Sequence, residues 1–209
     1  MKRTAEQAAH TRARLLDAAL EVFARRGYAA ATLGEIGAAA HLTRGAVYHH
    51  FADKLDLYES AVAERWAQIG DSLRAELMAP GDPAERLRAF LGRFLTAVDS
   101  EPAMQELLVV TMGPVGPELS RDGAGFDLKQ KAMGEFLDQI TTVCRDARAS
   151  DALRAGVEPE VAARVVLAHL AGAVVLQGVG IRVVPGGADV ADVAAAALAG
   201  ILTAPALTE

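Results

Sequence analysis

With one cysteine, Cys144, the chain has no partner for an intrachain disulfide and no second thiolate for a zinc site, so nothing in it asks for an oxidising compartment. The lone thiol reads as a small core residue. Aromatic residues make up only 5% of the chain while Ala and Leu abound, a balance that disfavours a β-sandwich and favours packed helices. There is no HExxH or Cys-His spacing and no GxSxG elbow, and the "GVG" at 178–180 is not a phosphate-binding GxGxxG. No metal, no cofactor and no enzymatic activity are therefore expected. The basic start, "MKRTAEQAAHTRARLL", leads into no apolar h-region, so secretion is not signalled. The longest apolar stretch, Val165 to Ile181, has 17 residues between Arg164 and Arg182 and contains His169, Gln177 and three glycines. A bilayer needs about 20 apolar residues. The stretch is expected to be a buried helix, and the protein to be cytoplasmic with no membrane partner.

What is present is apolar and periodic. A hydrophobic fraction of 52% in 209 residues excludes a disordered chain and is enough for a sizeable core. Leu16, Ala19, Leu20 and Phe23 recur at helical spacing until Gly27 ends the first helix. In "TLGE", Thr32 can cap a short second helix while Glu35 reaches back to it, and Leu33, Ile36 and Ala40 form its apolar stripe. Thr43 is the next N-cap, and Val47 and Phe51 lie four apart on the inner face of a third short helix. Asp53 then caps a long helix running to Met78. Further helices are expected near Pro83 to Asp99, Pro102 to Met112, Phe126 to Arg148, Pro159 to Gln177 and Ala188 to Leu202.

Charge divides the chain in the same place. Residues 1–54 carry eight Lys and Arg against five Asp and Glu, a balance of +3, whereas residues 55–209 carry thirteen against twenty-two, a balance of -9. A polyanion partner is plausible only for the first zone. Within that zone, "LTRGAVYHHFADK", Leu42 to Lys54, gathers Arg, Tyr, two His and Lys. Adjacent residues on a helix point about 100° apart, so His49 and His50 cannot close on one metal ion. Contact with an anion fits better: with Val47 and Phe51 turned inward, Arg44, Tyr48 and His49 project outward, and Gly45 lets the backbone approach a surface. Two short helices joined by a tight turn, the second presenting its start outward, make a helix-turn-helix suited to a major groove.

Residues from about 10 to 62, centred on "TLGEIGAAAHLTRGAVYHHFADKLDLY", resemble the DNA-binding domain of the TetR family of transcriptional regulators. The remainder resembles that family's variable effector-binding domain, most of all the branch that regulates multidrug efflux. The resemblance implies an all-α fold with two domains: residues 1–54, a three-helix helix-turn-helix DNA-binding domain, and residues 55–209, a larger helical domain for effector binding and dimerisation. It implies that Thr43, Arg44 and Gly45 lie against base edges or the adjoining backbone, with Arg44 the base reader because its fork matches the O6 and N7 acceptors of guanine. Tyr48 and His49 would hold phosphate or sugar, Thr32 phosphate at the second helix, and Lys54 phosphate at the fourth. His50 would be mainly structural. The chain departs from the family at His41, where Gly is usual and where a left-handed residue costs roughly 1 kcal/mol, and at His49, which replaces a larger aromatic and makes that contact pH-sensitive.

For the second zone the resemblance implies an apolar effector cavity walled by Trp66, Phe90, Phe94, Met104, Leu108, Met112, Phe136 and Ile140, with Gln177 as a polar contact. The effector would be a lipophilic small molecule, a cation being one option that Asp99, Glu101 and Glu106 would serve. "VAARVVLAHLAGAVVLQ" and "ADVAAAALAGIL" are rich in small residues and suit a helical interface between two subunits of a homodimer. The expected protein is thus a ligand-responsive regulator, a repressor that binds a palindromic operator in double-stranded DNA as a dimer. The alternative is a helical small-molecule-binding protein with no DNA role.

Overall fold

Helix follows the apolar periodicity almost everywhere. The computed structural model describes residues 5–112 and 124–203, with the side chains of 112 and 124–132 set aside. Among the described residues the order is α1 (Ala5–Ala30), α2 (Leu33–Ala39), α3 (Arg44–His50), α4 (Lys54–Met78), α5 (Pro83–Ser100), α6 (Pro102–Met112), α7 (Ala124–Ala149), α8 (Pro159–Gly178) and α9 (Val190–Leu198). The all-α expectation is borne out. Gly27, at φ 75° and ψ 158°, breaks α1 where the sequence places its end. At α4, Asp53 accepts from the Asp56 N–H at 2.9 Å and Asp56 accepts from the Ala52 N–H at 2.8 Å, which satisfies donors that a helix start leaves open. Asp82 and Asp189 cap α5 and α9 in the same way.

By packing, the chain forms two compact units: Met1–Gln68 with Pro102–Asp127, and Ile69–Glu101 with Leu128–Glu209. The division expected after Lys54 follows charge and function; by packing, the units part inside α4 because α6 lies against α1. In the first unit Leu15, Ala19, Val22, Phe23, Ile36, Val47, Leu57 and Leu107 form the core. Phe23, Tyr28 and Tyr58 meet with ring centroids 5.2–5.7 Å apart. The buried Tyr58 hydroxyl donates to the Val110 carbonyl of α6 at 3.2 Å, giving its polar tip a partner.

In the second unit α5 packs against α8 and α9, burying Leu87, Phe90, Leu91 and Val98. Arg86 donates through Nε to the Leu77 carbonyl at 2.8 Å and pairs with Asp146 at 3.2 Å, so it also closes the end of α4. Two sequence expectations need correction. First, α9 ends at Leu198 rather than Leu202: the chain passes Gly200 and pairs in extended form with the segment after α7. There Leu153 bridges Leu202, Arg154 N–H donates to Ile201 O and Thr203 N–H donates to Ala152 O, both at 2.9 Å. Second, α8 is not a buried helix within the chain. Only 28% of its most apolar window is covered, and Val161 and Val175 on it, with Val179 and Ile181 just beyond it, are exposed. By length and composition alone α8 is apolar enough to cross a membrane.

Two predictions come from this packing. His41 has φ 54°, the left-handed region that costs a side-chain-bearing residue. His41→Gly should raise the unfolding free energy by about 1 kcal/mol in urea titrations, less the entropy Gly adds to the unfolded chain; a loss of stability would contradict the strain. Cys144 is fully buried, and burial, with a smaller contribution from Glu160, pushes its thiol up to about 12. An aromatic disulfide reagent at pH 8 should therefore label it only as fast as the protein unfolds.

Candidate DNA-binding surface

The α2–α3 pair is fixed by its ends and by one close crossing. Thr32 and Glu35 form the capping box legible in "TLGE": Glu35 N–H donates to Thr32 Oγ1 at 3.2 Å, and Thr32 N–H donates to Glu35 Oε2 at 3.0 Å. The Thr32 hydroxyl, then its backbone N–H, then Arg26 and Arg25 hold the Glu35 carboxyl below its ordinary value. Since this folded-state value is depressed, the contribution is complete above the ordinary carboxylate range and is lost as pH falls through the lowered value. After α2 the chain turns through His41, where Leu42 N–H reaches back to Gly37 O at 2.7 Å and Arg14 of α1 donates to Ala40 O at 2.5 Å. A Cβ on Gly37 would stand 3.2 Å from Val47 Cγ2, 3.3 Å from Leu42 O and 3.4 Å from Thr43 O. Two of those three atoms are backbone and cannot swing aside, so glycine sets how closely α2 and α3 approach.

Thr43 caps α3, accepting from Ala46 N–H at 3.2 Å, and Val47 and Phe51 turn inward. Thr43, Arg44, Gly45, Tyr48 and His49 are all exposed. Arg44 donates through Nη2 to the Tyr48 hydroxyl at 3.0 Å, with its guanidinium 5.4 Å from the ring centroid. That hydrogen bond raises the Arg44 pKa further, so the group is charged at every accessible pH. The two therefore stand together on one outward face, one turn apart. His50 is half-buried between the rings of His49 and Phe51, at 5.2 and 6.4 Å.

The sequence did not show how the remaining cations are used. Arg12 pairs with Glu64 at 2.5 Å and lies 5.3 Å over the Phe51 ring, while Arg25 pairs with Glu21 at 3.2 Å and Arg26 with Glu35 at 3.3 Å. Arg14 is on the Ala40 carbonyl, and Lys54 Nζ donates to the carbonyls of Tyr28, Ala29 and Ala31 at 2.9, 3.3 and 3.3 Å. Among the described residues 5–54, Arg44 alone of the Lys and Arg side chains has neither a carboxylate nor a carbonyl partner. Most of the cations of this stretch are thus held by groups of the protein itself. Lys2 and Arg3 lie outside the described residues.

The expected effector residues fall into two groups. Trp66, Met104 and Leu108 belong to the first unit; Phe90, Phe94, Phe136, Ile140 and Gln177 belong to the second. Met112 ends α6, and its side chain lies outside the described residues. Phe90, Phe94, Met104, Leu108 and Ile140 are buried, Trp66, Phe136 and Gln177 half-buried. Phe90 and Phe136 meet at 5.5 Å. An open groove of about 390 Å³ is lined by Glu21, Arg25, Pro102, Gln105 and Val109 among others, and by none of the expected residues. The acidic side chains suggested for a cationic effector are in part occupied: Asp99 accepts from Arg182 Nε and Nη2 at 3.1 and 2.5 Å, and Glu101 pairs with Arg93 at 2.7 Å. The Arg182 hydrogen bond holds the Asp99 carboxyl below its ordinary value.

Residues 15–61 match the model for bacterial regulatory proteins of the tetR family, which bears out the resemblance over the segment that carries it. The chain is 36% identical over 110 residues to the HTH-type transcriptional regulator AcrR of Shigella flexneri, covering 52% of this chain and 51% of AcrR. It is 50% identical over 62 residues to the HTH-type transcriptional repressor BepR of Brucella suis, covering 30% of each. These matches thus span about half or less of the curated relatives' length. The SmeT–triclosan complex superposes at a TM-score of 0.72 with 27% identity, covering 94% of this chain and 93% of SmeT; SmeT is the repressor of the Stenotrophomonas maltophilia multidrug efflux pump SmeDEF.

Arg44→Ala should weaken binding to a selected duplex more than binding to random duplex, on the order of tenfold or more if a bidentate base contact is lost. Competition gel shifts report both affinities; equal losses would reject Arg44 as a base reader.

Proposed function

We propose that this chain, whose residues 15–61 carry the DNA-binding segment of the TetR family, is a ligand-responsive transcriptional repressor. On this reading it binds a palindromic operator as a cytoplasmic homodimer and is released by a lipophilic small molecule. The observation that carries the reading is the α3 surface: a capped seven-residue helix, set by the Gly37 crossing, that turns Thr43, Arg44, Gly45, Tyr48 and His49 outward together. Arg44 reads a guanine edge, Tyr48 and His49 hold sugar or phosphate, and the Thr32 end of α2 meets the backbone. The regulators among its relatives point away from an enzyme. A carrier with no DNA role would have no use for the free Arg44–Tyr48 pair.

A dimer follows from the same requirement, since two recognition helices must reach successive major grooves about 34–36 Å apart. The exposed apolar side chains of α8, Val161 and Val175 among them, supply a surface that needs cover. Ligand-responsiveness draws on the SmeT–triclosan likeness. A neutral lipophile is favoured over a cation because Asp99 and Glu101 are already paired. The effector must bind the DNA-incompetent state more tightly than the competent one, or it shifts nothing.

Selecting bound fragments from random duplex DNA should return a two-fold symmetric site, and triclosan or related neutral aromatic lipophiles should release it. Because Arg12, Arg25 and Arg26 hold carboxylates and Arg14 and Lys54 hold carbonyls, few cations are available to phosphate, and the salt dependence should be shallower than eight Lys and Arg would give. Failure to enrich any duplex from the selection would defeat the regulator reading. Enrichment without release by any lipophile would leave a regulator of another effector class.

A further inference from the structure

We propose that Lys54 is a positioning residue that locks the α1–α2 junction to the start of α4, rather than a contact to DNA phosphate; its effect on operator binding rests on the function proposed above. An ammonium has three N–H donors. The three carbonyls of Tyr28, Ala29 and Ala31 are within 2.9–3.3 Å of Nζ, and the Tyr28 ring centroid is 4.5 Å away. No donor is left for a phosphate.

Those carbonyls stand at the end of α1, which stops at Ala30, a turn after the break at Gly27. The N–H four residues after Tyr28 belongs to Thr32, which donates to Glu35 in the capping box. A cation at the first position of α4 is misplaced with respect to that helix's own dipole, but it is well placed against the carbonyl-rich end of another. Lys54 thus leaves the positive end of α4 for the negative end of α1. The next residue after the captured carbonyls is Thr32, the N-cap of α2. The Tyr28 ring under the ammonium packs on Phe23 and Tyr58, so the anchor is set in the unit's aromatic core. Lys54 therefore fixes where α2 begins relative to α4, and through the Gly37 crossing where α3 points.

The test compares wild type, Lys54→Met, which keeps an apolar stem, and Lys54→Arg, whose planar fork binds phosphate well but cannot place donors on three converging carbonyls. In Lys54→Met, amide exchange at Ala31 and Thr32 should quicken. Affinity for the selected operator should drop on the order of tenfold, with an unchanged salt slope, and Lys54→Arg should not restore it. The opposite pattern overturns the proposal: protected amides unchanged, the slope smaller by about one, and recovery in Lys54→Arg. Should the variants unfold, the Lys54 ammonium resonance of the wild-type chain decides. It should be slowly exchanging without DNA and unmoved on adding operator; a signal that shifts and sharpens only with DNA would reject the proposal. If the wild-type chain bound no duplex, the repressor reading would fail, and the exchange data would still report on the junction.

Discussion

The α2–α3 end of this protein depends on satisfying helix ends with side chains. α2 and α3 are seven residues each, too short to persist in water on their own hydrogen bonds. Each terminal N–H or carbonyl left open there is a large fraction of what the helix has. Thr32 with Glu35 closes the start of α2 and Thr43 that of α3, while Arg14, from α1, closes the end of α2. Lys54 at the end of α1 and Asp53 with Asp56 at the start of α4 do the same for the helices on either side. Removing these caps would leave two segments with an apolar face but no fixed direction, and direction is what base reading requires.

On the proposed reading, that use of cations bears on how an acidic chain presents a DNA-binding face. Net charge and even the +3 of residues 1–54 are coarse guides, because an arginine paired at 2.5 Å with Glu64 contributes little field outward. What counts is which cations remain unpaired, and among the described residues of that stretch Arg44 is the one without a carboxylate or carbonyl. Tyr48, one turn on, restrains the guanidinium through one hydrogen bond and a ring contact, which on the proposed reading reduces the side-chain entropy lost on contact with DNA. Preorganisation then substitutes for charge density.

The elements legible in the sequence are those whose cause is local. Thr32 and Glu35 are three residues apart, Gly27 acts on its own backbone, and Val47 and Phe51 face inward by helical period, so each was readable without knowing the fold. His41 could be read as strained through the resemblance, and its φ of 54° agrees. What escaped was non-local. Nothing in "ADVAAAALAGIL" says that Leu202 will bridge Leu153, and nothing near Lys54 says that its ammonium will reach carbonyls more than twenty residues away. The expected effector residues rest on type and spacing, and such a pattern describes a core as well as a cavity. The burial of Phe90, Phe94 and Ile140 does not separate the two.

That ambiguity bears on how a regulator of this design would switch. On the proposed reading, an effector that enters beside Phe90 and Phe136 must part rings now 5.5 Å apart, so it cannot bind equally well to the arrangement described and to an opened one. A preformed pocket could be filled with little consequence elsewhere. A closed apolar contact cannot, because packed interiors pass from one arrangement to another rather than deforming smoothly. The work of opening lowers the apparent affinity, while the shift toward the opened state is set by how much more tightly the effector binds there. Neutral lipophiles meet that cost better than cations do, since they gain from every apolar atom they cover and leave the Asp99–Arg182 and Glu101–Arg93 pairs intact.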